Sequence, residues 1–567
     1  MIEMKFGVPT GFKEKVLAVL TDSSTSLKNK LSVLGFNWNP MGHFWARGGE
    51  FQPHVIKVLE SFGIQPSKAV LEEYNQKTAF RPIRIFEDNF KYEMLLDYQK
   101  EALEFTKNAQ SCVIALSIGL GKTPTAIGYA DYLGQRNLVV CPASLRGQWY
   151  EELKKFNNLD PSRIVIDGTR EKREKQWKLA KECQYVICSY DLMRQKTDLD
   201  KAKLYLNGNG LLIFDEVMRI KNRESKRTKA CIDLRSKTFS CIGLTGQPID
   251  NNLGEFYTIL NIVSPGFIPS YEKFAEMFLV RELRQGSNGR SYWQIRGERN
   301  VDEFRELIRP LMIRKEKREV LNLPPTSTII RTVELSKEQK RIEKRLLELA
   351  KEDPNNVLKY FTYSRENLIS PALLPIAVLD APRGLDLWSQ IEGNNNESIE
   401  YIPSKVQELL EGKIKPEDIE LTPRLLEVKD VLEESGKEKI IVFSTYVKAL
   451  ELVKRCLTDE DCAMVAGDYN TEDELEKFRG DTRILLASEK AQEGLNLQFC
   501  SSMIVINSSW TFSRMEQLRG RIDRRGQLHP MTFYELNSNS VIEARINKIL
   551  EKKEKLSERV LARRVMG

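Results

Sequence analysis

Short apolar runs recur along most of this chain, each bounded by turn-forming residues. CVIAL (112–116), NLVVC (137–141), YVIC (185–188), LLIFD (211–215) and CIGLT (241–245) form one series. KIIVFS (439–444), CAMVA (462–466), RILLAS (483–488), SMIVIN (502–507) and MTFYEL (531–536) form a second. Runs of this length without alternation suit strands buried on both faces of a parallel sheet. The stretches between them have helical spacing, so each series reads as repeated βα units forming one lobe of an α/β protein. Between the series the chain is mostly polar and helical. KEQKRIEKRLLELAKE is a strongly charged helix, and NNNES (394–398) marks an exposed loop. The expected boundaries are a first lobe over 90–325, a helical insertion over 326–424 and a second lobe over 425–567.

Residues 1–80 read differently, as a small α+β module. Thr25 or Ser26 can cap a helix over Leu27–Leu34 that Gly35 ends. Phe36-Asn37-Trp38 and His43-Phe44-Trp45-Ala46 read as two strands around the turn Asn39-Pro40-Met41-Gly42. A second helix starts near Pro53, runs over Val55–Phe62 and stops at Gly63.

Composition narrows the class. With 567 residues, 41% hydrophobic and 29% charged, the chain is long enough for several cores and is not a disordered chain. Lysine and arginine total 87 against 80 acidic residues, a net +7 that permits nucleic-acid binding without demanding it. No apolar stretch reaches the ~18 residues of a membrane span, and the N-terminus lacks an apolar signal core. The nine cysteines are scattered and the three histidines are few, which disfavours a disulfide framework, a zinc site or a Ser-His-Asp triad. The expected protein is soluble and intracellular: cytoplasmic in a bacterial or phage-infected cell, nuclear in a eukaryote.

The chemistry concentrates after the CVIAL run. In Ser117-Ile118-Gly119-Leu120-Gly121-Lys122-Thr123-Pro124, Gly119 and Gly121 allow backbone N–H groups to turn inward around phosphates. Lys122 can reach the β/γ-phosphates, and the Thr123 hydroxyl can ligate Mg²⁺. The alternative is an ordinary glycine turn, because position 116 is leucine where the strict phosphate-loop pattern has glycine. An acidic pair ends another apolar run 93 residues after Lys122. Asp215 can hold Mg²⁺ through water, and Glu216 can orient and deprotonate an attacking water. The plain alternative for such a pair is a helix cap. Gln99, 23 residues before Lys122, carries an amide suited to the adenine edge or to solvent.

Taken in order over roughly residues 90–555, these and further motifs resemble the Swi/Snf family of superfamily-two helicase-like ATPases. LLDYQ is similar to the adenine-reading glutamine motif, IALSIGLGKT to motif I and LVVCPASLRGQWYEEL to motif Ia. FDEVMRIKN resembles the DEAH motif II, and LTGQPIDNNLGEFYTILNIVSPGF motif III with its extension. LIRPLMIRKEKREVLNLPP resembles the family's linker segment. IIVFSTY, LLASEKAQEGLNLQ and QLRGRIDRRGQ resemble motifs IV, V and VI. The resemblance implies two RecA-like lobes with parallel sheets, helical insertions, and ATP with Mg²⁺ as cofactors. It implies that Gln99, Gly119, Leu120, Gly121, Lys122, Thr123 and Pro124 hold the nucleotide, with Gly494 and Gln517 contributing from the second lobe. Arg521 and Arg524 then serve as arginine fingers that neutralise charge on the γ-phosphate. Several positions depart from the family: Met218 for histidine, Gln247 for threonine, Asp250 for glutamine, Leu116-Ser117 for an acidic pair and Ala491-Gln492 for a glycine pair. Met218 cannot make a histidine's hydrogen bonds.

The family typically moves along duplex DNA. By motif position, Ser144, Arg146, Lys221, Asn222, Thr445, Ser488, Asn496 and Trp510 are the candidate DNA contacts, directed at backbone phosphates rather than sequence. For Trp510 the alternative is a packing role. The front module loosely resembles the substrate-recognition module of HARP-type annealing helicases. Trp38, Phe44, Trp45 and Arg47 are candidates for stacking on unpaired bases at a junction. The alternative is a small core closed by the two tryptophans. The resulting expectation is a monomeric DNA-dependent ATPase, without membrane attachment, that remodels forked or branched duplex DNA by branch migration, fork regression or annealing. The alternatives are a motor that displaces DNA-bound protein such as RNA polymerase and, motivated by Met218 and Gln247, a nucleotide-gated DNA clamp with little turnover.

Overall fold

A computed structural model describes residues 2–9, 12, 14–21, 25–40, 44–48, 53–79, 84–249, 251–285, 289–352, 356–374, 415, 420–457, 461–466, 471–489, 495–509 and 512–561. All ten apolar runs form strands, with ends shifted by at most two residues. The chain divides into two compact units, one built on Met1–Leu321 and the other on Asn322–Lys552.

The first unit holds two sheets and a hairpin. Its front sheet comprises β1 (Glu3–Gly7), β2 (Val16–Leu20), β3 (Asn37–Asn39), β4 (Phe44–Arg47) and β5 (Gln65–Pro66), in the order β3-β4-β2-β1-β5. The large sheet comprises β6 (Cys112–Leu116), β7 (Asn137–Cys141), β8 (Arg163–Val165), β9 (Tyr185–Ser189), β10 (Leu211–Phe214), β11 (Ser240–Leu244) and, past the hairpin, β14 (Met312–Lys315). Its order is β14-β6-β11-β10-β7-β9-β8, parallel throughout. Alternate residues supply two apolar clusters, one on each face: Val113, Val140 and Phe214 on one, Ile114, Val139 and Ile213 on the other. The register pairs Ile213 with Val139 and Ile242, so the carboxyl ends of these strands share one edge. The hairpin is β12 (Leu279–Gln285) with β13 (Ser291–Glu298), antiparallel and separate from both sheets.

The front module does not keep a core to itself. Met4, Leu31, Val55 and Leu59 belong to the same apolar cluster as Phe256, Phe267 and Phe274 of the first lobe. Polar contacts close the seam. Arg47 Nη2 donates to Gly266 O, and Lys273 Nζ donates to Asn37 Oδ1 at 3.3 Å. Gly35 has φ +85° and lies so close to Pro269 that a Cβ would stand 2.7 Å from its ring. His54 sits in the seam with Nε2 2.9 Å from Ala109 O and Nδ1 3.0 Å from Ser264 Oγ. A neutral ring satisfies both partners, donating from Nε2 and accepting at Nδ1. Arg47, offered above as a stacking residue, is therefore an anchor.

The second unit contains β15 (Thr326–Val333), β16 (Ile440–Phe443), β17 (Cys462–Val465), β18 (Ile484–Ala487), β19 (Ser502–Val505) and β20 (Met531–Ser538), parallel in the order β15-β20-β19-β16-β18-β17. β15 corrects the expected boundary: TSTIIRTV falls in the expected helical insertion but pairs with β20 from Thr326↔Met531 to Val333↔Ser538. As an edge strand it is largely exposed, so it lacks a buried run, although its β-branched residues favour extension. The helices Lys337–Glu352 and Val357–Ile369 pack together through Ile342, Leu346, Tyr360 and Tyr363. The NNNES loop lies outside the described residues. Among the described residues no helix is long and apolar enough to cross a membrane.

The seam has a pH signature. Burial, with Arg235 nearby, pushes the His54 imidazole down to about 4. The folded state thus favours the neutral ring, and its contribution is fully present above the unfolded value of about 6.5. It is lost as pH falls from there through about 4, amounting to roughly 3 kcal/mol. Thermal midpoints recorded from pH 7 to 4 should fall for the wild type and fall less steeply for His54→Ala. An identical slope in both would remove His54 from the acid response.

Candidate active site

The phosphate loop leaves the buried strand β6 at its carboxyl end. Ser117 N–H donates to Lys315 O on the neighbouring strand, which sets the direction of departure. Gly119 (φ +87°) and Gly121 (φ +73°) adopt left-handed backbone, and Gly121 immediately precedes the helix Lys122–Leu133. Leu120 between them is buried. Lys122 Nζ reaches back to Leu116 O at 3.4 Å, so its ammonium lies over the loop. Thr123 stands in the first helical turn and Pro124 packs beside Gly121. Gln99 is buried and spans two elements: its Oε1 accepts from Leu96 N–H at 2.9 Å and its Nε2 donates to Leu120 O at 2.9 Å. The amide expected at the adenine edge thus also splints the phosphate loop. A Cβ on Gly121 would meet Gln99 Nε2 at 2.2 Å, so only glycine fits this loop.

β10 and its neighbour β11 emerge at the same edge. Asp215 is buried just past β10. Trp149 Nε1–H donates to its Oδ2 at 2.8 Å, and Glu216 N–H donates to its Oδ1 at 2.9 Å. Tyr190 donates its hydroxyl to Asp215 O at 2.7 Å, and burial pushes that phenol well above its ordinary pKa, which keeps it a donor. Glu216 has φ +50°, a left-handed conformation that costs a side-chain-bearing residue about 1 kcal/mol or more and clusters at functional sites. Met218 packs against the apolar core, filling with a thioether the place of the family's histidine. Thr245 Oγ1 and the backbone of Gln247 form a closed turn at 2.9 and 3.1 Å.

The residues fit a nucleotide with a hard divalent cation. Two left-handed glycines and a helix N-terminus could present N–H groups to phosphate, and Thr123 and Asp215 could supply oxygen ligands. Among the described residues no cluster of three His, Cys, Asp or Glu could hold a metal alone. Mg²⁺ normally takes one or two protein oxygens and completes its shell with phosphate and water.

The expected DNA contacts divide. Ser144 and Asn222 are exposed. Arg146 donates to Ala143 O and Ile166 O, fixing the loop before its own helix. Lys221 pairs with Glu255 at 3.1 Å, tying motif II to motif III. In the second unit, Thr445 receives a hydrogen bond from Asn507, which also accepts from Ser444 and Thr445 N–H and so clamps the ends of β16 and β19. Ser488 is buried and donates its hydroxyl to Val465 O at 3.3 Å. Asn496 is exposed and accepts from Arg524 Nη1. Gln517 is partly buried on the helix Phe512–Arg519. Gly494 and Trp510 lie outside the described residues.

Arg521 and Arg524 converge. Their Nη1 atoms lie 3.4 and 3.5 Å from the same acceptor, Leu495 O. Two guanidinium groups on one carbonyl concentrate positive charge, as binding of a phosphoryl group requires. Gln527, buried behind them, donates to Cys500 O and accepts from Leu528 and His529 N–H. In the front module Trp38 and Trp45 are cross-strand partners with ring centroids 5.6 Å apart, and they share the face towards the core. Trp45 is only 5% exposed and is a core residue. Trp38, on the edge strand, is half-buried.

Trp149, Tyr190, Asn507 and Gln527 escape sequence reasoning as functional residues. The available signal is position: Trp149 and Gln527 lie inside motifs Ia and VI, and Tyr190 and Asn507 lie at or just past the ends of apolar runs. Trp149→Phe keeps the ring and deletes the donor to Asp215. Loss of such a supporting bond should lower hydrolysis or metal affinity roughly 10–100-fold. The check is the Mg²⁺ concentration for half-maximal hydrolysis, which should rise in the variant. An unchanged Mg²⁺ dependence would leave Trp149 a packing residue.

Comparison with known proteins shows the family of this chain. The SNF2-related domain matches residues 94–378 and the helicase conserved C-terminal domain residues 423–526. The uncharacterized ATP-dependent helicase YqhH of Bacillus subtilis is 24% identical over 464 residues, covering 79% of this chain and 76% of that protein. The DNA repair and recombination protein RDH54 of Saccharomyces cerevisiae is 25% identical over 508 residues, covering 81% of this chain but 50% of its own length. The ATP-dependent DNA helicase DDM1 of Arabidopsis thaliana is 24% identical, with 82% and 61% covered. Among solved structures, the SWI2/SNF2 ATPase core of Sulfolobus solfataricus in complex with dsDNA is 21% identical, covers 85% of this chain and 95% of that one, and has a TM-score of 0.37. With its phosphate loop, acidic pair and paired arginines in motif order, and with the SNF2-related model spanning half its length, the chain belongs to the SNF2-related family of ATP-dependent helicases.

Proposed function

We propose that this protein is an ATP- and Mg²⁺-dependent translocase on double-stranded DNA that remodels forked or branched DNA. The observation that carries the ATPase is the edge shared by β6 and β10, where the phosphate loop and the fixed Asp215-Glu216 pair emerge. In this reading Lys122 and the loop N–H groups hold phosphate, while Thr123 and Asp215 hold Mg²⁺. Glu216 takes a proton from the attacking water, and Arg521 with Arg524 neutralises developing charge. Relatives named for DNA repair and DNA helicase activity support DNA as the track. Exposed Ser144, Asn222 and Asn496 are suited to phosphate contact.

The branch preference is supported by the front module. A surface cavity of about 520 Å³ opens there, lined by Phe12, Asn37, Trp38, Asn39 and Pro40 among others. An aromatic edge beside two amides suits an unstacked base. Because the module shares its core with the first lobe, a point substitution tests it more cleanly than truncation.

Hydrolysis by wild type should rise with duplex DNA and more with a synthetic fork. Glu216→Gln should hydrolyse ATP roughly 100-fold more slowly or worse while still binding it. Equal rates in the two proteins would refute the motor and leave a nucleotide-gated clamp. Trp38→Ala should narrow the difference between fork and linear duplex. A fork preference identical to that of wild type would remove the module from substrate choice.

A further inference from the structure

The hairpin β12–β13 projects from the first unit and takes no part in the site described above. Its base is fixed. Leu279 is buried, Arg299 N–H donates to Phe278 O at 3.0 Å, and Asn300 Nδ2 donates to Met277 O at 2.8 Å. Beyond the base the strands leave the core, and the cross-strand pairs Arg281↔Ile295 and Leu283↔Trp293 share one face. Leu283 is 56% exposed and Trp293 55%. An indole this exposed contributes little burial to the core. The ring is nevertheless held in place: the Arg281 guanidinium lies 4.9 Å from its centroid and is itself tied to Glu272 at 2.7 Å. The opposite face carries Arg284 beside Tyr292, its cross-strand partner, which is also exposed. From Leu279 to Arg299 the chain has five arginines against two glutamates.

A fixed, exposed indole backed by a guanidinium, on a strand pair with excess arginine, matches two features of unpaired nucleic acid. Bases offer a flat π-face in any sequence, and the backbone offers regularly spaced negative charge. A duplex offers only the second, because its bases are already stacked on one another. We propose that this hairpin is a platform for single-stranded nucleic acid, with a base on Trp293 and phosphates on the neighbouring arginines. The inference rests on the DNA reading of the motor but concerns a different strand and a different surface.

The test uses the full-length chain, a short fluorescent single-stranded oligonucleotide and a blunt duplex of the same sequence. Trp293→Ala should weaken oligonucleotide affinity about tenfold, and duplex affinity much less. Trp293→Phe should restore most of the loss. The Trp293→Ala deficit should persist at raised salt, because stacking is not screened, whereas an Arg284→Ala deficit should shrink. Oligonucleotide binding by Trp293→Ala equal to that of wild type, or equal losses on both DNAs, would overturn the platform. Wild-type protein that binds the oligonucleotide through Trp293 but shows no duplex-stimulated hydrolysis would overturn the translocase and leave the platform standing.

Discussion

Asp215 brings a carboxylate to the end of a strand whose four other side chains, Leu211 to Phe214, are completely buried. A charge so placed needs hydrogen-bond partners. Trp149 and the adjacent Glu216 N–H donate to its carboxylate, and Tyr190 holds its backbone carbonyl. The requirement ties the helix Arg146–Phe156 to the sheet and turns Glu216 into left-handed backbone. Only β11 separates β10 from β6, so Asp215 and the loop that carries Lys122 and Thr123 leave the sheet at the same edge. The apolar clusters above and below hold the strands, and Asp215 determines what their ends can do.

The fold was legible where burial is complete. Strands such as Cys112–Leu116 and Ile440–Phe443 are covered on both faces, and their sequences are unbroken apolar runs. Edge strands are half covered, and Arg163–Val165, Met312–Lys315 and Thr326–Val333 mix charges with β-branched residues in ways that a search for apolar runs passes over. In the candidate site, the glycines, Lys122, Asp215 and the arginines stand out in the sequence because the proposed chemistry depends on residue type. Their supports were not, because the bond from Trp149 spans 66 residues and that from Asn507 to Ser444 spans 63, and only the tertiary fold specifies such distances. Trp38 and Trp45 show the same limit. The sequence contains two aromatic residues on two strands, and only the sheet order decides which one is covered.

Many of the polar side chains that motif position assigns to DNA have a prior duty within the protein. Arg146 caps two carbonyls, Lys221 is paired with Glu255, and Ser488 turns its hydroxyl inward. Gln99 both caps its own helix and splints the phosphate loop. Lys221 and Gln99 connect loops that carry different motifs, so a ligand drawing on either perturbs its partner loop. Met218 belongs to this pattern by subtraction. Packed among apolar neighbours, it leaves motif II to be oriented by Trp149 and Tyr190 rather than by a histidine.

The seam between the front module and the first lobe has a mechanical consequence. A module on a flexible tether absorbs part of any displacement as slack, and its reach is set by chain statistics. Here a continuous apolar core, the Arg47 anchor and the His54 bridge replace the tether with close-packed matter of low compressibility. The front sheet therefore behaves as a rigid arm in series with the first lobe. In the proposed translocase, travel of that lobe would therefore carry the front sheet with it.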